Sequence, residues 1–277
     1  MRGLAEFVMK GRKQAIMAVL LLGLIPLLNL LSPVLVGLVV LRKGFQEAVQ
    51  VLVWAILPIG GWALAGDPVP LIMLLGITGL AGLLRSSESW EFTLLAAIAV
   101  GVCVEIYLRL QPAVLDLIFL QMQPYFDANG IQGEQLDSLR NVMTSFMGAV
   151  YMFLAIILLM LSRWMQAALY NPGGFKLEFH QLRFSSLFSV TILIGMFICE
   201  FFLEGYTSWS SLFGLPLMLG GIALLHYSVT LYQLSSFWLV GFYLALLFLS
   251  PLSIMLVGIG FLDSIFNIRP KLISHIK

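Results

Sequence analysis

The chain has 277 residues, of which 60% are hydrophobic and 10% are charged, and its formal net charge is +1. Soluble globular proteins carry about 25% charged residues, so this composition excludes a water-soluble globule of this length. The charges lie in short clusters between apolar runs, which leaves no continuous basic surface for a nucleic acid. We therefore predict an all-α, polytopic transmembrane helix bundle that contacts the lipid bilayer and binds no nucleic acid.

Seven apolar runs are long enough to cross a bilayer, for which a helix needs about 20 residues. The predicted spans are Gln14–Leu31, Phe45–Ala65, Pro68–Leu84, Phe92–Leu110, Val142–Leu161, Ser185–Leu203 and Ser211–Tyr232. Two further stretches fit no single crossing. Pro33–Leu41 is too short, and Phe237–Phe266 is too long and is interrupted at Leu249–Pro251. Because proline removes a backbone donor and disfavours a helical residue before it, we interpret each as a tight hairpin or broken helix, which gives about eight to ten membrane segments.

The basic residues predict the orientation of these segments, since Lys and Arg favour cytoplasmic loops. If Phe237–Phe266 turns back at Pro251, every basic residue except Arg109 and Arg140 falls on one side. A single crossing there would place the basic C-terminal residues on the other side. We therefore expect both ends of the chain on the cytoplasmic side.

We expect one transmembrane domain over residues 1–277, with amphipathic segments on both sides. Its parts are a first helical group at 13–110, a periplasmic cap at 111–141, a span at 142–163, a cytoplasmic loop at 164–184 and a second helical group at 185–268. In the cap, apolar residues recur at helical spacing until Pro124, Asn129 and Gly130, which we expect to break the chain before a polar helix at Gln132–Arg140.

The cytoplasmic loop combines a turn with an amphipathic pattern. A proline and two glycines end the preceding helix, and aromatic residues then oppose charged ones. The candidate docking residues are Asn171, Pro172, Gly173, Gly174, Phe175, Phe179 and Arg183. The pattern suits a docking site, either for a cytoplasmic partner or for anionic lipid headgroups. It equally suits a linker that lies on the membrane and shields its aromatic side chains.

Ionisable and polar side chains inside apolar runs are candidates for a ligand site or a polar network, because each charge costs about 2.5 kcal/mol or more at the bilayer centre. The candidates are Glu105, Arg109, Glu200, His226, Asp263 and Asn267. Each also has a structural interpretation. Glu105 and Arg109 have the spacing and order of a helical ion pair, Asp263 is close to Arg269 in sequence, and His226 suits a hydrogen bond between helices.

Two further patterns in the apolar runs have alternative interpretations. Glu200 and Glu204 lie one helical turn apart near an outer boundary, which suits either a cation or proton site or two interfacial carboxylates that reach water. Gly76, Gly79 and Gly82 recur at spacing three and share a face that allows close helix packing.

Motifs of catalysis are absent from the sequence. It contains no phosphate-binding loop with its lysine, no His-Glu-x-x-His, no cysteine cluster and no Gly-x-Ser-x-Gly. We therefore predict no enzyme activity, no catalytic residue, no metal and no cofactor. An intramembrane enzyme would require at least two of the membrane-embedded groups Glu105, Glu200, His226 and Asp263 to meet in one cavity.

Three stretches resemble a known family. Arg163–Arg183 contains Tyr-Asn-Pro-Gly-Gly-Phe-Lys, Gly260–Arg269 reads Gly-Phe-Leu-Asp-Ser-Ile-Phe-Asn-Ile-Arg, and Ser32–Gly44 forms the opening hairpin. These resemble the YybS-like family of uncharacterised bacterial inner-membrane proteins. That family is distantly similar to the substrate-binding membrane subunits of energy-coupling-factor transporters. The resemblance implies a location in the bacterial inner membrane.

Two functions are consistent with these patterns. The first is a transport component that binds a small molecule between helices and, lacking a nucleotide site, depends on a protein partner for energy. The second is a non-transporting scaffold for cell-envelope or division machinery. An apolar cavity with a few convergent polar groups would favour the first, and a closed, dry interior would favour the second.

Overall fold

The structure of the chain, a computed structural model, describes residues 1–111, 113–203, 206 and 209–274, without the side chains of 114 and 117. Within these residues all regular structure is helical, which confirms the predicted all-α class. The helices are α1 (Arg2–Met9), α2 (Arg12–Leu24), α3 (Leu31–Lys43), α4 (Phe45–Leu64), α5 (Val69–Ser87), α6 (Trp90–Leu110), α7 (Ala113–Ala128), α8 (Glu134–Tyr170), α9 (Gly174–His180), α10 (Ser186–Phe202), α11 (Ser210–Leu231), α12 (Phe237–Phe248), α13 (Ser250–Phe266) and α14 (Ile268–Ser274).

Several helices have the length and composition of membrane spans. Among the described residues these are α4, α5, α6, α8 and α11. The pair α12 and α13 has this length and composition only when both helices are taken together, and it is bent by 117°. The helix α10 is apolar but shorter, with 17 residues. The chain is therefore a multi-pass membrane protein, and α4, α5, α6, α10 and α11 begin and end close to their predicted bounds.

The helix α8 is longer than the sequence patterns indicated. Its 37 residues extend about 55 Å at about 1.5 Å per residue, well beyond a hydrocarbon core of about 30 Å. From Glu134 onward, the predicted polar helix Gln132–Arg140 is continuous with the predicted span Val142–Leu161 in this one helix, because no glycine or proline interrupts residues 134–147. Similarly, α7 continues through Pro124, and the chain turns only at Asn129 and Gly130, where Gly130 has a φ of 67°.

The first hairpin consists of α2 and α3, and its break lies earlier than predicted. The expected span Gln14–Leu31 ends at Leu24, because Pro26 follows and Leu27 adopts a φ of 66°. Pro33, which was expected to break the chain, lies in the first turn of α3, where a helix loses no internal hydrogen bond to proline. Each helix has 13 residues, or about 20 Å, so neither crosses a bilayer alone.

The centre of the first helical group is α3. Residues 32–41 are all buried, and α2, α4, α5 and α8 pack around them. The Ser162 hydroxyl of α8 donates to the Val34 carbonyl at 2.9 Å. At the C-terminal end of α3, Arg85 and Gln166 donate to the Leu41 carbonyl at 2.6 and 3.0 Å. These side chains satisfy a carbonyl that has no partner within its own helix.

The basic side chains collect at one end of the bundle, which we call the basic face. Side-chain contacts connect the helix ends there: Arg12 pairs with Glu47 at 2.8 Å, and Arg163 pairs with Glu178 at 2.8 Å. The basic residues of this face include Arg12, Lys13, Arg42, Lys43, Arg85, Arg163, Lys176, Arg183 and Arg269. The opposite end holds Arg109 and Arg140 with their carboxylate partners.

The second hairpin consists of α12 and α13 and turns at Leu249–Pro251, as predicted. The closest backbone approach in this part of the structure is between α13 and α11. A Cβ atom at Gly260 would lie 2.0 Å from the Leu217 carbonyl oxygen, and one at Gly221 would lie 2.3 Å from the Leu256 carbonyl oxygen. By contrast, α12 contributes no buried residue. The bend therefore separates a tightly packed helix from a peripheral one.

We expect Gly260→Ala to lower the melting temperature of the purified protein, because the added methyl group would force α13 away from the α11 backbone at a cost of about 1–3 kcal/mol. Gly258→Ala is the matched control, since a Cβ atom there meets nothing within 4 Å and alanine favours a helix over glycine. Thermal unfolding in a mild detergent measures both. Equal melting temperatures for the two variants would contradict the close contact.

Candidate functional site

A cavity of about 700 Å³ opens at the basic face between α8, α9, α11 and the start of α12. Its walls are mainly apolar and include Ile157, Leu161, Val229 and Leu239. Its polar side chains are Lys176, His180, His226, Thr230, Gln233 and Ser236. The volume lies within the range of about 300–1,000 Å³ that is usual for small-molecule sites. We call it the basic-face cavity.

The short helix α9 forms one wall of this cavity. It follows a turn in which Gly173 has a φ of 85°, a conformation that favours glycine. The rings of Phe175 and Phe179 stack at 6.2 Å and line the cavity. Glu178 instead accepts hydrogen bonds from the Trp90 indole at 2.7 Å and from Arg163 at 2.9 Å. Opposite faces of α9 therefore bind the bundle and face the cavity.

Two histidines lie close together at the cavity wall. The ring centroids of His180 and His226 are 6.5 Å apart, and Phe179 meets His226 edge-on at 5.4 Å. The Nε2 atom of His226 lies 2.7 Å from the Tyr243 hydroxyl oxygen, which joins α11 to α12. This contact between helices is the structural interpretation given to His226 from the sequence.

The charge of the cavity comes from Lys176. Among the described residues that line the cavity none is acidic, and no described carboxylate lies within ion-pair distance of Lys176. Burial lowers the pKa of His180 below its ordinary value of 6.5, and the positive charges of Lys176 and Arg269 lower it further. This shift disfavours the charged form of His180, and Lys176 is the formally charged side chain of the cavity.

Two arginines connect the loop after α9 to the end of α13 and the start of α14, an arrangement that we call the arginine clasp. Arg183 donates to the backbone carbonyls of Asp263 and Ser264 at 3.1 Å each. In the opposite direction, Arg269 donates to the backbone carbonyl of His180 at 2.7 Å and to that of Leu182. Each arginine thus satisfies carbonyls at the C-terminal end of the other segment, where a positive charge is favourable.

The carboxylate of Asp263 completes the arginine clasp. Asp263 is 2% exposed, and its carboxylate oxygens lie 3.2 Å from Arg269 Nε and 3.0 Å from the backbone nitrogen of Ile268. Asn267 is exposed and ends α13 in the left-handed conformation, with a φ of 48°. The predicted candidates Asp263 and Asn267 therefore lie four residues apart, but only Asp263 belongs to a buried polar network.

A separate polar cluster lies at the opposite end of the bundle. The predicted ion pair between Glu105 and Arg109 is present, with 2.8 Å between the charged atoms, and the Ser145 hydroxyl donates to Glu105 at 2.6 Å. Glu105 is fully buried. A Cβ atom added at Gly148 would lie 3.2 Å from its Oε2 atom. The close packing of α6 and α8 through this glycine encloses the carboxylate.

The structure does not bring the four groups Glu105, Glu200, His226 and Asp263 together. Glu105 is at the end opposite the basic face, Glu200 is exposed on α10, and only His226 lines the basic-face cavity. None of the five best-defined cavities among the described residues is lined by two of Glu105, Glu200, His226 and Asp263. Glu204, which was paired with Glu200 in the sequence interpretation, lies outside the described residues.

The candidate docking loop is divided between three environments. Asn171, Pro172 and Gly173 are exposed at the turn, and Gly174 begins α9. Phe175 and Phe179 line the cavity, and Arg183 belongs to the arginine clasp. Sequence patterns did not indicate His180, Thr230 or Gln233 as cavity residues, because their positions depend on how distant helices meet.

The fold and cavity define a multi-pass α-helical membrane protein with a small-molecule-sized site at its basic face. Comparison of the chain with models of protein families, with curated proteins and with solved structures gives no match in any of the three.

We expect Arg269→Ala to destabilise the protein by about 3–5 kcal/mol, because it leaves the buried Asp263 carboxylate without its charge partner. Adding Asp263→Asn to this variant should recover part of the loss by removing the uncompensated charge. Lys271→Ala, on the same short helix, is the control and should have little effect. Melting temperatures in detergent test the order of the variants, and a double variant less stable than Arg269→Ala would contradict the coupling.

Proposed function

We propose that this protein binds a small molecule in the basic-face cavity and serves as the membrane component of a transport system. The observation that supports this function is the cavity itself, which combines apolar walls with a cation and several neutral hydrogen-bonding groups. Such a combination is the usual chemistry of a small-molecule site. A scaffold that only organises other proteins would not require a cavity with this combination of groups.

In this proposal the transport step depends on a separate protein for energy. The sequence has no phosphate-binding loop with which to hydrolyse a nucleotide. The structure also leaves the polar candidates Glu105, Glu200 and Asp263 away from the cavity, and this separation supports binding over an intramembrane reaction. The role proposed for the chain is therefore recognition of the molecule that is moved.

We further propose that the protein lies in the bacterial inner membrane with its basic face in the cytoplasm. The resemblance to a family of bacterial inner-membrane proteins supports the location. The collection of basic side chains at one end of the bundle supports the orientation, because Lys and Arg favour the cytoplasmic side. The cavity and α9 would then be reached from the cytoplasm or from the inner leaflet.

Cysteine labelling tests this orientation. In a variant without Cys103 and Cys199, we expect Ser274→Cys to react with an impermeant thiol reagent only after the inner membrane is opened. Ser138→Cys, in the exposed first turns of α8, should react in intact spheroplasts. The opposite pattern of labelling would show that the basic face points outward.

Filling the cavity tests the proposed function. Leu239 lines the cavity, whereas the neighbouring Val240 is 54% exposed on α12. We expect native mass spectrometry of wild type and of Val240→Trp, each extracted gently from its own membrane, to show a bound small molecule. Leu239→Trp should lose that molecule because the indole occupies the cavity.

Two results would contradict the proposed function. One is a wild-type protein without any bound small molecule but with a stoichiometric protein partner, which would favour the scaffold. The other is equal retention of the molecule by Leu239→Trp and Val240→Trp, which would place its site elsewhere. Melting temperatures of both variants control for damage to the fold.

A further inference from the structure

We propose that the ligand of the basic-face cavity is an anionic amphiphile, a molecule with one negatively charged headgroup on an apolar body. This inference rests on the proposed function and adds the chemical class of the ligand. It follows from the distribution of charge in the cavity, from the depth of its apolar walls and from the position of α12.

The charge distribution favours an anionic headgroup. Lys176 contributes a positive charge at the basic face, and no described lining residue is acidic. The acidic residue of α9, Glu178, is occupied by Arg163 and Trp90 on the other side of the helix. In the described part of the cavity, no carboxylate accepts hydrogen bonds from the Lys176 ammonium group. A bound anion can therefore accept them.

Neutral polar groups lie near the same opening. Thr230, Gln233 and Ser236 are exposed residues at the end of α11 and in the connection to α12, and all three line the cavity. Hydroxyl and amide groups donate hydrogen bonds to phosphate or carboxylate oxygens. Together with Lys176 they can surround a headgroup without a second cation.

The deeper walls favour an apolar body. Trp164 and Ile157 both line the cavity on α8, and seven residues of helix separate them by about 10 Å along the axis. Ile157 and Leu161 precede Trp164 on α8, and Leu239 follows Ser236 at the start of α12, so all three lie further from the basic face than the polar opening. A small hydrophilic anion would leave these side chains uncovered, whereas an alkyl or aryl body would bury apolar surface against them.

The position of α12 allows such a molecule to enter from the bilayer. No residue of α12 is buried, and its contact with α11 includes the single hydrogen bond between His226 and Tyr243. On its other side is a groove of about 740 Å³ that shares Val229 and Leu234 with the cavity and is lined almost entirely by apolar residues. Movement of this loosely held helix would connect the cavity with lipid.

The experiment titrates the full chain, in phosphatidylcholine nanodiscs, with dodecyl phosphate, 1-dodecanol or inorganic phosphate and follows the melting temperature. We expect dodecyl phosphate to stabilise the wild type more than either single-feature probe. Lys176→Gln should weaken the apparent affinity for dodecyl phosphate about tenfold, because hydrogen bonds to charged groups contribute about that factor. Lys43→Gln, an exposed lysine of the basic face outside the cavity, should bind as the wild type does.

The possible results separate this inference from the proposed function. Equal binding of dodecanol and dodecyl phosphate, or no effect of Lys176→Gln, would overturn the anionic headgroup while the loss in Leu239→Trp still showed a small-molecule site. Inorganic phosphate that stabilises as well as dodecyl phosphate would overturn the apolar body. No stabilisation by any probe, together with no bound molecule in the native protein, would overturn both proposals.

The natural source of the ligand is identified by a second measurement. Organic extraction of the purified wild-type protein, followed by mass spectrometry, separates a membrane lipid from a water-soluble metabolite. Enrichment of an anionic lipid relative to the whole membrane, lost in Leu239→Trp, supports a lipid source. Recovery of an anionic apolar metabolite in the aqueous phase supports a soluble source, and recovery of only neutral molecules contradicts the inference.

Discussion

The carbonyl groups at the end of α3 must find hydrogen-bond donors inside the bundle, and the organisation of the basic face depends on how they do so. Arg85 and Gln166 both donate to Leu41. Gln166 also accepts a hydrogen bond from Arg163, which pairs with Glu178 of α9. Polar contacts therefore run without interruption from the most buried helix to the wall of the cavity. A backbone that ends in an apolar interior without such partners would be strongly unfavourable.

The basic-face cavity lies between two regions of different packing. On one side, the Arg163–Glu178 ion pair joins α8 to α9, and the arginine clasp attaches the loop after α9 to the C-terminal helices. On the other side, α12 buries none of its residues and leaves apolar grooves on both of its faces. A binding site between a rigid wall and a peripheral helix can keep a specific headgroup contact while accepting apolar bodies of different shape.

Features set by neighbouring residues were predictable from the sequence, whereas features set by distant pairs were not. The Glu105–Arg109 pair follows from a spacing of four on one helix, and the bend at Pro251 follows from the missing N–H of proline. Pro33 also lacks an N–H group, but it lies in the first turn of α3, where the helix needs no hydrogen bond from that position and is not broken. The contact of Gly260 with α11 has no signal in local glycine spacing. The cavity itself combines residues of four separate helices, and no periodicity of the chain relates them.

The arginine clasp also has a consequence for the synthesis of the protein. Arg183 and its acceptor at Asp263 are 80 positions apart, so at about 5–20 residues per second the ribosome delivers the second about 4–16 s after the first. During that interval the carbonyls of His180 and Leu182 have no arginine to bind, and α9 lacks one of its two attachments. The cavity therefore acquires its final wall only when the C-terminal hairpin enters the membrane.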